Sequence, residues 1–123
     1  MTQSAVLVVE DNQANRELAA ALLTMAGYAV LEAEDGRDLL ERVKRERPDL
    51  ILMDLQLPYI DGLTLTRQLK ADAETREIPV VAATARIQPE QEAMALEAGC
   101  AGYLTKPLDS RMLRMTVARL LNR

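Results

Sequence analysis

The chain has 123 residues and a mass of 13.7 kDa, enough for one compact core. Its 15 Lys and Arg against 19 Asp and Glu leave a net charge of -4, which argues against binding nucleic acid on its own, since phosphate backbones reward clustered cations. Histidine is absent, which excludes Ser-His-Asp and Cys-His catalysis, histidine-ligated metals and a phosphohistidine-donor role.

Apolar runs at residues 5–9, 29–33, 50–53, 79–83 and 101–104 predict five strands, each followed by a stretch with helical spacing. The first run, Val6-Leu7-Val8-Val9, shows no polar alternation, which is the pattern of a strand covered on both faces in a parallel sheet. Asn12 is placed to cap the first helix, whose apolar stripe includes Leu18, Leu22 and Met25, and Gly27 to close it. Asp35 is expected to cap the second helix, with Lys44, Arg45 and Arg47 in its last turn before Pro48 stops it. The third run, Leu50-Ile51-Leu52-Met53, leads into Asp54 and a loop holding Pro58, Tyr59 and Asp61-Gly62. After the fourth run, Pro89 sits where a first helical residue belongs, followed by Glu90 and Glu92. Asp109 is placed to cap the last helix, with Leu108 and Leu113 as a hydrophobic staple and Leu113, Val117 and Leu120 along one face. The alternation predicts an α/β fold of five βα units with a parallel five-stranded sheet. We expect one domain over residues 1–123, with no output domain.

The N-terminus lacks a signal peptide's basic start, and the longest charge-free stretch, residues 18–31, falls short of the about 20 residues that span a bilayer. The lone Cys100 cannot form an internal disulfide and reads as a small buried filler. A soluble, cytoplasmic protein without membrane contact is expected. The six methionines are read as core and helix-face packing, and residues 37–47 as a solvated helix face.

In an open parallel sheet, ligands bind beyond the carboxyl ends of the strands. Glu10 and Asp11 follow the first run, Asp54 the third, Thr84 the fourth, and Lys106-Pro107 the fifth. Three carboxylates, a hydroxyl and an ammonium should therefore converge on one edge. Each close pair of carboxylates costs about 4 kcal/mol at an effective dielectric of about 20, and one ammonium cannot offset three pairs. Either a carboxylate is protonated or a hard cation with oxygen ligands binds, and Mg2+ fits best. Zinc and copper are disfavoured without histidine or a thiol cluster. Such a site suits an incoming phosphoryl group, with an aspartate as acceptor.

Val8-Val9-Glu10-Asp11-Asn12, Leu52-Met53-Asp54 with Pro58 and Asp61-Gly62, Ala83-Thr84-Ala85, Ala98-Gly99 and Tyr103-Leu104-Thr105-Lys106-Pro107 together resemble the CheY-like receiver domain of two-component response regulators. Glu10-Asp11-Asn12 with Asn15, and the stretch from Leu52 to Pro58, are most similar to stand-alone cell-cycle receivers of the DivK type or to receivers attached to hybrid histidine kinases. The resemblance implies a flavodoxin-like three-layer sandwich with strand order 2-1-3-4-5. It implies Asp54 as phosphoacceptor, and Mg2+ held by Asp11, Asp54 and the Gln56 backbone carbonyl, with Glu10 acting through water. Lys106 and Thr84 would bond the phosphoryl group, Tyr103 would be the aromatic switch, and the peptide bond to Pro107 would be cis. Pro58 and Gly62 would be structural, while Gln56 and Arg86 would tune hydrolysis of the acyl phosphate. The implied partners are a histidine kinase or histidine phosphotransfer protein, a downstream target on the helix 4/strand 5/helix 5 face, and a homodimer as one option. No direct nucleic-acid binding is expected. On this reading the chain is not an enzyme but a signalling phosphoacceptor that catalyses its own phosphorylation and dephosphorylation.

Taken singly, each site residue has a plainer explanation: helix-start acids for Glu10 and Asp11, a turn residue for Asp54, and a solvated lysine for Lys106. Their conjunction at one sheet edge favours the site. An aspartate-nucleophile phosphatase of the haloacid dehalogenase type wants an acid where Gln56 stands. In a flavodoxin-type carrier, Glu10 and Asp11 would repel the cofactor phosphate. A receiver-like interaction module acting without phosphorylation remains the alternative. Tyr59, in the loop after Asp54, is read as a partner contact.

Overall fold

The computed structural model describes residues 3–85 and 88–121. Strand and helix alternate as β1 (Ala5–Val9), α1 (Gln13–Met25), β2 (Ala29–Ala33), α2 (Leu39–Glu46) and β3 (Leu50–Asp54). They continue as α3 (Gly62–Ala71), β4 (Val80–Thr84), α4 (Pro89–Ala98), β5 (Gly102–Thr105) and α5 (Ser110–Leu121). All four strand pairings are parallel, in the order β2-β1-β3-β4-β5.

Side-chain parity explains the unbroken apolar runs. Val6, Val8, Leu50, Leu52, Val81 and Ala83 pack with Ala19 and Leu23 of α1 and with Leu113 and Val117 of α5. The intervening Leu7, Val9, Ile51, Met53, Val80 and Ala82 pack with residues of α2, α3 and α4. Successive residues face opposite sides of the sheet, so a strand covered by helices on both faces has no polar position to alternate. The central strands β3 and β4 are buried along their whole length, whereas the edge strand β2 is only partly buried.

Most helix ends fall where expected. Asn12 caps α1 by accepting the Asn15 amide at 2.9 Å, and Gly27 follows it with φ of 98°. Pro89 begins α4, and Asp109 Oδ1 caps α5 by accepting the Arg111 and Met112 amides. Leu108 and Leu113 meet in the same core cluster.

Two expectations need correction. Asp35 does not cap α2. Its carboxylate takes the Arg37 amide at 2.9 Å and the Arg37 guanidinium, and the helix starts only at Leu39. Asp38 stands in the left-handed region with φ of 58°, so the helix cannot begin before Leu39, and Gly36 runs so close to α3 that a Cβ there would lie 2.4 Å from the Leu65 side chain. Nor are the methionines mostly core. Met53 is buried, but Met25, Met94, Met112 and Met115 are exposed, and Met1 lies outside the described residues. Cys100 is buried, with its thiol pushed up by that burial. Among the described residues no helix is long and apolar enough to cross a membrane.

Candidate functional site

Strand order reverses between β1 and β3, because β1 is paired with β2 on one side and with β3 on the other. At such a point the loops leaving the two strands diverge and open a crevice. Glu10 and Asp11 enter it from β1 and Asp54 from the end of β3. Each can offer one carboxylate oxygen to a set lying within 4.8 Å of one another. Glu10 and Asp54 are buried, while Asp11 is exposed.

The backbone positions these groups closely. The Glu10 amide donates to Ala33 O at 3.0 Å, adding a hydrogen bond beyond the last paired residue of β1. Glu10 Oε2 then accepts the Asn12 amide at 3.1 Å, which folds the strand end into the start of α1. Asp54 Oδ1 accepts the Gln56 amide at 3.0 Å. The loop from Leu55 to Asp61 closes on itself through Gly62 N–H to Leu55 O, and within it the exposed Pro58 lends its carbonyl to the Ile60 amide. Asp61 caps α3 by accepting both the amide and the hydroxyl of Thr64 at 2.9 Å.

Lys106 arrives from β5. Its amide donates to Thr84 O at 2.8 Å, and its peptide bond to Pro107 is cis. The ammonium pairs with Glu10 Oε1 and stands 3.3 Å from Asp54 Oδ2. One cation is thus shared by two buried acids, and their acidities part. Burial pushes Glu10 up, but the hydrogen bonds from Lys106 and the Asn12 amide outweigh it and leave the group below its usual range. Asp54 is pushed up to about 6, chiefly by burial and further by Glu10, against the pull of the Gln56 amide and Lys106. The ammonium is closely engaged with Glu10, so it compensates Asp54 less.

Thr84 ends β4, buried, in register with Thr105. Tyr103 is half-buried, and its hydroxyl donates to Glu92 of α4. Tyr103 and Thr84 both line a small cavity with Leu55, Gln91 and Ala95. The cleft over Asp54 is walled by Asn15 and Leu18 of α1 and by Pro107 and Leu108. The exposed side chain of Gln56 follows Asp54, whereas Arg86 lies outside the described residues. Tyr59 points elsewhere: its ring lies 4.0 Å beneath the Arg37 guanidinium.

Sequence reasoning passed over Arg16. Its guanidinium donates to the Glu10 carbonyl at 2.9 Å and pairs with Glu32 of β2 at 3.3 Å. The available signal was its position four residues after the cap Asn12, one helical turn from the site.

Residues 6–118 match the family described as the response regulator receiver domain. The polar-differentiation response regulator DivK of Brucella anthropi is 42% identical over 103 residues, which cover 84% of each chain. Among solved structures, a putative response regulator from Chloroflexus aurantiacus is similar with a TM-score of 0.94 at 30% identity, over 99% of this chain and 100% of that one. The receiver domain of the sensor histidine kinase PA1611 from Pseudomonas aeruginosa has a TM-score of 0.88 at 34% identity, over 97% of this chain and 98% of that one, and carries a magnesium ion in its active-site cleft. This chain belongs to the response regulator receiver domain family. It is a CheY-like signalling domain of two-component systems, with the flavodoxin-like architecture and strand order that the family resemblance implied.

Proposed function

We propose that the chain is a phosphorylation-controlled switch in which Asp54 takes a phosphoryl group from the phosphohistidine of a histidine kinase or histidine phosphotransfer protein. The observation that carries this reading is a buried aspartate at the switch point of the sheet, 3.3 Å from a lysine ammonium and clustered with two further acids.

The donor set is all oxygen and tetherable to a hard divalent ion, so it fits Mg2+. Asp11, Asp54 and the Gln56 carbonyl would hold the ion, with Glu10 contributing through water. Bound there, Mg2+ offsets the negative charge that carboxylate and phosphoryl oxygens bring together. A carboxylate oxygen of Asp54 attacks phosphorus; the O–P bond forms as the P–N bond breaks, and the donor imidazole keeps the electron pair. Lys106 is placed to move its ammonium onto a phosphoryl oxygen as the charge at residue 54 grows from -1 to about -2. Thr84 bonds another phosphoryl oxygen, and Tyr103 moves toward the cavity it shares with Thr84. Gln56 and Arg86 set how readily water reaches the acyl phosphate. Bonds made only in the phosphorylated state shift the conformational equilibrium, so a partner on the α4/β5/α5 face that prefers one state is controlled.

Incubation with acetyl phosphate and Mg2+ tests this. A hydroxylamine-labile adduct should map to Asp54, require Mg2+ and vanish in Asp54→Ala. An adduct that persists in Asp54→Ala overturns the assignment.

A further inference from the structure

The carboxylates of Glu10 and Asp54 each accept a backbone amide, whereas the exposed Asp11 is carried by the turn that follows β1. Both peptide units flanking Asp11 are pinned, by different groups. The unit before it is held through the Glu10 carbonyl, which accepts Arg16 Nη1 at 2.9 Å. The unit after it is held through the Asn12 amide, which donates to Glu10 Oε2 at 3.1 Å. The Glu10 carbonyl lies one residue past the end of β1, and leaving such a group without a partner near buried charges is costly. Arg16 supplies that partner from the first turn of α1.

Arg16 is itself anchored. Its Nε pairs with Glu32 Oε1 at 3.3 Å, and its side chain is only 16% exposed. The Glu32 backbone is held, since it lies in register with Val8 and its carbonyl accepts Arg42 Nη1 at 2.6 Å, while its carboxylate is 46% exposed. The guanidinium therefore bridges α1, the end of β1 and the edge strand β2. A planar fork with several donors can make both bonds at once, which a lysine ammonium on a flexible stem does less well.

We propose that Arg16 is a positioning residue for the divalent-cation site, fixing the β1–α1 turn so that Asp11 faces Glu10 and Asp54. The inference rests on the proposed reading of the acidic cluster as a Mg2+ site. Charge and geometry predict opposite signs, which makes the role testable. Were Arg16 merely a nearby positive charge, its removal would strengthen Mg2+ binding by relieving repulsion. As a positioning residue, its removal weakens binding.

The experiment measures Mg2+ affinity by calorimetry for the wild type, Arg16→Ala, Arg16→Lys, Glu32→Ala and Glu34→Ala, with urea unfolding of each in the absence of Mg2+. Arg16→Ala should bind about tenfold more weakly while still unfolding cooperatively, and Arg16→Lys should recover only part of that loss despite keeping the charge. Glu32→Ala, which frees one end of the guanidinium, should weaken binding by a smaller factor than Arg16→Ala but by more than Glu34→Ala, which removes the same charge without releasing Arg16. This comparison holds even if Arg16→Ala proves too unstable to assay. Unchanged or tighter binding in Arg16→Ala, or a Glu32→Ala loss no larger than that of Glu34→Ala, overturns the positioning role while leaving the Mg2+ site intact. Absence of Mg2+ binding in the wild type overturns the reading of the site itself, and the inference with it.

Discussion

Replacing Gly62 by alanine should destabilise the protein, against what helix propensity alone predicts. Gly62 is the first residue of α3, and it does not adopt the positive φ seen at Gly27 and Gly99. Alanine is the better helix former by about 1 kcal/mol, so a local argument expects a gain. The packing forbids it. A Cβ at residue 62 would lie 2.3 Å from the carbonyl oxygen of Asp54 and 2.9 Å from Leu55 Cα. Both obstacles are backbone, and neither can swing away as a side chain would. Asp54 is held in register with Ala83 of β4, the Leu55 amide donates to Ala83 O, and the Gly62 amide closes the loop onto Leu55 O. Overpacking of this kind costs about 1–3 kcal/mol, and contact with fixed backbone belongs at the upper end. Net of propensity, Gly62→Ala should lose about 2 kcal/mol. With a urea m-value of about 1–3 kcal/mol/M, the unfolding midpoint should fall by about 1 M. Mg2+ affinity should fall too, because the displaced atoms carry Asp54 and its neighbour. A midpoint at or above that of the wild type would refute the packing argument.

Two further predictions concern stability. Asp61 is held below the usual carboxylate range, chiefly by the Thr64 amide it accepts, so its contribution is fully present above the unfolded pKa of about 3.9 and is lost as pH falls through the folded value. Asp61→Ala should therefore cost about 1 kcal/mol at neutral pH, with the gap narrowing in urea unfolding series taken below about pH 4; a pH-independent gap would show that charge plays no part. On α5, Leu113 is fully buried whereas Met115 is 57% exposed. Leu113→Ala should cost about 2–5 kcal/mol by denaturant unfolding and Met115→Ala less than about 0.5 kcal/mol, and equal losses would mean the helix packs by another face.

The architecture was legible because burial on both faces leaves a mark in the sequence. Val6 to Val9 and Leu50 to Met53 are apolar at every position, and no half-exposed strand would be. The acids, Thr84 and Lys106 were legible as a group because each falls within two residues of the end of an apolar run, and all runs point the same way in a parallel sheet. What the sequence hid depends on contacts between distant segments. Glu34, Asp35 and Asp38 all precede α2, and nothing local reveals that Asp38 turns left-handed or that Gly36 packs against Leu65. The split between a buried Glu10 and an exposed Asp11, and the closer grip of Lys106 on Glu10, arise only when the sheet brings the ends of β1, β3 and β5 to one edge. The exposed methionines were a misreading of a pattern that was present. Met112 and Met115 fall off the Leu113, Val117 and Leu121 stripe that α5 buries.

Fluorine NMR with beryllofluoride, a mimic of the phosphoryl group, addresses acceptor and cation together. A bound fluorine signal should appear only when Mg2+ is present, and it should be lost in Asp54→Ala and in Asp11→Asn variants that remain folded. A bound signal that forms without Mg2+, or that survives loss of the Asp54 carboxylate, would contradict the account.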